Sequence, residues 1–322
     1  MLDEYDIIRI ITERHSRLPS GYTPIGDDVA LIPPGKKGEG VVLKCDMLVE
    51  KTDVPPGMGW RRAARKAVAM CVSDFTAKGV RPTAFMVSLG LPKGIGEADV
   101  NDLANGLAEA SQEWEVRLVG GDTGEAEGLV IDCVMIGFAS RIVRRDTARP
   151  NQCVVTSGTF GQTAAALKIL LHGAKARASF RKEVVSSVYL PKPRLELGLA
   201  LSRYLSSSID SSDGLAISLH ALSEMSGVGI RLNELPYAKG LEDFASRNLY
   251  RAEDLALYGG EEYEIVGTVP KGKLRDAMKK AQSLGCELHV IGETTTKSRE
   301  VFLPGGRKVE KKGWVHFRVH SD

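Results

Sequence analysis

The residues best suited to chemistry are aspartates that sit where the chain is punctuated. They are Asp27 and Asp28 in IGDD, Asp46 in KCDMLVE, Asp74 in CVSDFTAKG, Asp122 in GGDTGE, and Asp210 and Asp213 in IDSSDGL. Most follow an apolar stretch, so several are expected to end strands or open turns and to converge on one cleft. Carboxylates crowded into a partly desolvated cleft repel one another and need counter-charge to stay ionised. Oxygen-only ligands favour a hard divalent cation, and magnesium binds through a few carboxylates plus substrate phosphates. The expected chemistry is therefore phosphoryl transfer from a nucleotide. A single aspartate at a turn or helix start is often only a cap, so the set carries the argument. Asp213 could cap a helix starting near Leu215, which leaves Asp210 unexplained.

Gly120 and Gly121 follow the strand-like residues 116–119, where bare backbone could approach a phosphate or simply make a tight turn. Gly259 and Gly260 before Glu261 and Glu262 read the same way. The phosphate-loop pattern GxxxxGK[ST], GxGxxG after a strand, the HRD and DFG kinase pair and GxSxG are all absent. The six histidines show no metal spacing and read as surface or core residues.

The elements that must position these groups divide into two lobes, 1–147 and 148–322, as the length of 322 residues suggests. In the first, a short helix over 3–15 precedes strands near 41–48, 84–91 and 129–139 and helices over 60–78 and 97–114. After a polar link at 144–152, strands are expected near 154–157, 228–232, 263–269 and 287–291. Helices are expected over 161–172, 194–205, 214–225 and 271–284.

Acids and bases nearly balance at +2, which excludes a basic field for nucleic acid. The clusters Arg61-Arg62, Arg65-Lys66 and Arg144-Arg145 read as solvated faces, Arg145 excepted. Five cysteines without a CxxC pair read as reduced, buried thiols. An acidic N-terminus and the lack of a membrane-length apolar run place the protein in the cytoplasm.

In their order, IGDD, the strand-borne Asp46, the SD pair of AVAMCVSDFTAKGVRP, GGDT, IDSSDGL and GGEEYEI make the chain resemble the thiamine-monophosphate kinase family over nearly its whole length. The resemblance implies a two-lobe α/β (α+β) fold, with the first lobe giving strands to a β-barrel shared across a homodimer and ATP in the cleft between lobes. It implies Mg²⁺ held by Asp28, Asp46, Asp74, Asp122, Asp210 and Asp213. Gly120, Gly121, Arg145 and Ser212 would contact ATP. Asp53, Glu261 and Trp314 would face thiamine monophosphate, whose phosphate takes up the γ-phosphoryl group in line to give thiamine diphosphate. That acceptor is already largely dianionic at neutral pH, so no catalytic general base is expected. Three departures touch the site: Asp53 where a histidine near substrate is usual, Glu262 in place of aspartate, and Lys44 in place of a hydroxyl two residues before Asp46. Alternatives are a superfamily member activating an amide, formyl or selenide substrate, and a nucleotide-binding scaffold without turnover. Cys45 lies inside a strand, not near the N-terminus, and the chain ends VHSD without a cysteine, which weakens the selenide and hydrogenase-maturation readings.

Overall fold

The structure, a computed structural model, describes residues 2–13, 18–34, 38–296 and 299–317. The first half runs α1 (Glu4–Thr12), β1 (Ala30–Ile32), β2 (Gly40–Val49), α2 (Glu50–Asp53), α3 (Gly59–Lys78), β3 (Pro82–Leu91), α4 (Glu97–Trp114), β4 (Arg117–Glu125) and β5 (Val130–Ala139). Its strands form one sheet in the order β1-β2-β5-β3-β4, antiparallel except where the α4 crossover makes β3 and β4 parallel.

The second half runs β6 (Gln152–Thr156), α5 (Gln162–His172), α6 (Ala178–Tyr189), α7 (Leu195–Leu201), β7 (Ser207–Asp210), α8 (Leu215–Ser226) and β8 (Gly229–Leu232). It continues through α9 (Leu241–Arg247), α10 (Ala252–Tyr258), β9 (Ile265–Pro270), α11 (Lys271–Ser283), β10 (His289–Thr295) and β11 (Val301–Phe302). These strands pair in the order β11-β8-β10-β6-β9-β7, with β8 and β11 parallel. The architecture is mixed α/β with two sheets, as expected.

Helix α3 lies between the two halves, against β2 and β5 on one side and β7 and α7 on the other. Residues 63–69 and 71–78 are all buried, which suits a helix rich in alanine and apolar residues nearly all round. Its neighbours approach closely: a Cβ on Gly106 of α4 would lie 2.0 Å from the Arg61 carbonyl oxygen, and one on Gly198 of α7 2.1 Å from that of Thr76. The helix stops at Gly79, which adopts the left-handed conformation (φ 68°) that glycine accepts without strain.

The register of the first sheet decides which side chains can meet. Lys44 and Asp46 pair with Met135 and Cys133, whose side chains are buried on the face toward α3. Ser88 is matched to Asp132 and to Asp122, and Asp132 to Met47, so these point to the opposite face, where Met47, Met86 and Phe138 are exposed.

Several expectations are corrected. Gly120 and Gly121 do not turn the chain: β4 continues through them to Glu125, held by parallel pairing to β3. Arg65 and Lys66 are not solvated; both are buried in α3. Of the cysteines, all free, Cys71, Cys133 and Cys153 are buried, whereas Cys45 is exposed and Cys286 half-buried. His220 is a buried core histidine bonded to the Val309 carbonyl, while His15 and His320 lie outside the described residues. Among the described residues no helix is long and apolar enough to cross a membrane.

Candidate active site

Three aspartates from distant parts of the chain come together. Asp28, Asp74 and Asp210 each offer a carboxylate oxygen, and these oxygens lie within 4.8 Å of one another, all on buried residues. Asp28 belongs to the irregular segment before β1, Asp210 ends β7, and Asp74 sits well inside α3. The last point corrects the expectation that every one of these aspartates marks chain punctuation. Ser73, next to Asp74, donates to Asp210 at 2.8 Å and so ties the helix to the second sheet.

Cations of the chain surround the group. Lys44 Nζ is 3.0 Å from Asp74 and 3.4 Å from Asp46. Lys78, one turn beyond Asp74 on the same helix and fully buried, sits 2.6 Å from carboxylate oxygens of both Asp27 and Asp28 and donates to the Ser208 carbonyl at 2.6 Å. Arg145 reaches Asp28 and the Gly26 carbonyl, and its backbone N–H donates to Asp27 at 3.2 Å. The two terminal nitrogens of the guanidinium are thus occupied within the chain, while Nε makes no hydrogen bond among the described residues.

These cations do not balance the desolvation. Burial pushes Asp74 well above the ordinary carboxylate range; Lys44 opposes the shift, and Asp210 and Asp46 add to it. Burial likewise raises Asp210, against Lys44 and the Ser73 bond. Asp213 is raised to about 7 by burial and by the charges of Glu4 and Asp210. Lys44 ends well above its usual value because Asp74 and Asp46 outweigh its burial, whereas burial lowers Lys78. Both Asp28 carboxylate oxygens are engaged by cations of the chain, Oδ1 by Arg145 and Oδ2 by Lys78. A set of carboxylate oxygens converging from three buried aspartates fits a hard divalent cation such as magnesium.

The other expected metal residues sit differently. Asp46 joins through Lys44, and Asp213 stands in the loop after Asp210. Asp122 is not brought to the group within one chain, because β4 shows it to the outer face, where it accepts from the Thr123 N–H at 2.9 Å. On the same strand a Cβ at Gly120 would meet open space, while one at Gly121 would strike the Val87 carbonyl at 2.1 Å. The second glycine is therefore required by strand packing alone.

A second constellation lies along α3 from the first. Lys66, fully buried, donates to the Asp53 carbonyl at 2.8 Å and binds the Glu261 carboxylate. Glu261 and Tyr263 both adopt positive φ (64° and 53°), a left-handed conformation costly for such residues. They are pinned there by bonds from their N–H groups to the carbonyls of Ser212 (2.6 Å) and Ser211 (2.9 Å). The Trp314 N–H donates to the Asp213 carbonyl at 3.0 Å, and its ring packs edge-on against His316. The Asp53 carboxylate turns back to accept from the Val49 N–H at 2.7 Å. The Glu262 carboxylate accepts from Gly161 and Thr163 at the start of α5 (2.7 and 3.2 Å), and burial raises it to about 7 despite those bonds. A cleft of about 1120 Å³ opens on Glu261, Glu262 and Glu264 from the side of α6 and α7; no aspartate of the cluster lines it.

Lys66, Lys78 and Ser73 were not singled out from sequence. The available signal was helical spacing, since 66, 70, 73–74 and 77–78 share one face of a helix that already carries Asp74.

Comparison with known proteins adds the following. Residues 26–139 match the family model of the AIR synthase related protein N-terminal domain, and residues 149–303 that of its C-terminal domain. A thiamine-monophosphate kinase of Nitrosopumilus maritimus is 36% identical over 98% of this chain and 99% of its own. One of Pyrococcus abyssi is 33% identical over 94% of this chain and 91% of its own. Among solved structures, AaThiL complexed with AMPPCP and TMP superposes with a TM-score of 0.85 at 28% identity, covering 98% of this chain and 97% of that one.

Proposed function

The chain belongs to the thiamine-monophosphate kinase family, and we propose that it transfers the γ-phosphoryl group of ATP to thiamine monophosphate, giving thiamine diphosphate. The observation that carries this reading is the convergence of Asp28, Asp74 and Asp210 within 4.8 Å. These three would hold magnesium, with Asp46 and Asp213 beside them. Magnesium bound there supplies positive charge against the nucleotide and acceptor phosphates.

The residues of the chain do the rest. Lys78 and Arg145 fix the carboxylates of Asp27 and Asp28. Ser73 holds Asp210. Lys66 aims Glu261, whose negative charge, with the half-exposed ring of Trp314, complements a cationic thiazolium ring. A phosphomonoester acceptor arrives largely dianionic, so aligning two anions replaces general-base catalysis. Ser212 and the Gly120 backbone are assigned to ATP, and Asp53 to the substrate side.

We further assign residues 1–147 to metal binding and dimerisation, residues 148–322 to the second lobe, and the protein to the cytoplasm. The exposed Met47, Met86 and Phe138 on the outer face of the first sheet support a homodimer packed there, with Asp122 at its seam. The test is magnesium-dependent release of ADP on adding thiamine monophosphate, with thiamine diphosphate identified as product. Release of ADP with aminoimidazole precursors instead, or no stimulation by thiamine monophosphate, would overturn the reading.

A further inference from the structure

Five carboxylates, of Asp27, Asp28, Asp46, Asp74 and Asp210, meet three cationic side chains, of Lys44, Lys78 and Arg145. The three cations are anchored differently. Lys78 is fully buried and also bonded across the halves to the Ser208 carbonyl, and Arg145 also bonds the Gly26 carbonyl, so both are tied to backbone as well as to carboxylates. The ion pairs of Lys44 are with carboxylates alone, those of Asp46 and Asp74. It reaches them because Lys44 and Asp46, two residues apart on β2, point to the same face, the one covered by α3.

An ammonium group 3.0 Å from the buried Asp74 carboxylate and 3.4 Å from the half-buried one of Asp46 does the electrostatic work of a bound cation. Remove its charge, and Asp46 and Asp74 lose the cation that contacts both, the condition under which oxygen ligands bind a divalent ion. We propose that Lys44 is a built-in cation of this site, occupying the position between Asp46 and Asp74 that a divalent ion would otherwise fill, so that the cleft takes one fewer metal ion than its carboxylates could hold. The proposal rests on the family reading only for the statement that the cleft takes divalent ions.

The experiment counts ions rather than turnover. Manganese is titrated into the full-length protein and followed by the loss of the free-ion paramagnetic resonance signal, with and without a non-hydrolysable ATP analogue. Lys44→Met, which keeps length and removes charge, is expected to bind one further manganese ion per chain, or to tighten the weakest by about tenfold. Lys44→Arg, which keeps the charge, is expected to match the parent. Equal stoichiometry and affinity in Lys44→Met and the parent would overturn the proposal, as would a gain of the same size in Lys44→Arg. Should Lys44→Met fail to fold by circular dichroism, Lys44→Gln carries the same expectation. Since no thiamine phosphate is present, failure of the kinase assignment leaves this count standing.

Discussion

Asp74 and Asp210, on α3 and at the end of β7, are each paired to a residue of another regular element, and Asp46 to Lys44 on its own strand β2, whereas Glu261 is held by a loop whose own backbone is strained. At the first end the cost lies in side-chain charge, raised by burial and offset by lysine. At the second it lies in φ and ψ, offset by bonds to Ser211 and Ser212. Asp28 apart, the aspartates are thus fixed by the frame, while Glu261, proposed to face the substrate ring, is set by a loop, and loops tolerate replacement more readily. Substrate choice and phosphoryl chemistry should therefore be separable by mutation.

The sharpest way to break that comparison is Asp74→Asn, which keeps shape and removes charge. We expect kcat at saturating magnesium to fall about a hundredfold or more, with little change in KM for thiamine monophosphate. Turnover within threefold of the parent would contradict the account.

Glu262→Gln tests whether the neighbouring loop is governed by burial. The Glu262 carboxyl titrates near 7 in the folded protein against 4.5 as its ordinary value. The folded state therefore holds the proton more tightly, and stability is lost as pH rises from 4.5 through about 7. The glutamine variant lacks this titration, so between pH 5 and pH 8 it should gain about 2 kcal/mol relative to the parent in urea unfolding. A pH-independent difference would show that the carboxylate is not desolvated.

Glu261→Gln should raise KM for thiamine monophosphate about tenfold and leave kcat nearly unchanged, since it removes ground-state attraction to the ring. A loss confined to kcat would mean that the two ends are not separable. Trp314→Ala, half-exposed at the rim, should raise KM only about threefold.

Much of the frame was legible because periodicity suffices where burial is regular. The apolar run of α3 and the alternation of β2, β3 and β5 give their elements nearly to the residue. β4 was cut short because Gly-Gly-Asp-Thr-Gly has weak strand propensity, and only its parallel partner β3 keeps it extended. α6 and the short helices α2, α9 and α10 carry weak local signals and are held by packing on their neighbours. In the site, the order of the acidic motifs pointed to Asp28, Asp74 and Asp210 before any fold was known. Lys44 stood out beside Asp46, but Lys66 and Lys78 did not, because nothing local distinguishes Lys66, buried between the halves, from Arg61 on the surface of the same helix. Nor could sequence say that Asp122 faces away from Asp46, since that follows from the register of three strands.

Lys66 and Asp74 ride on one uninterrupted helix, eight residues apart. At the rise and turn of an α-helix that is a separation of about 12 Å along the axis and about 80° around it. α3 therefore works as a gauge between the Glu261 end and the aspartate end: neither can shift along or around the axis without the other, and adding one residue between them would swing Lys66 by about 100° away from Glu261.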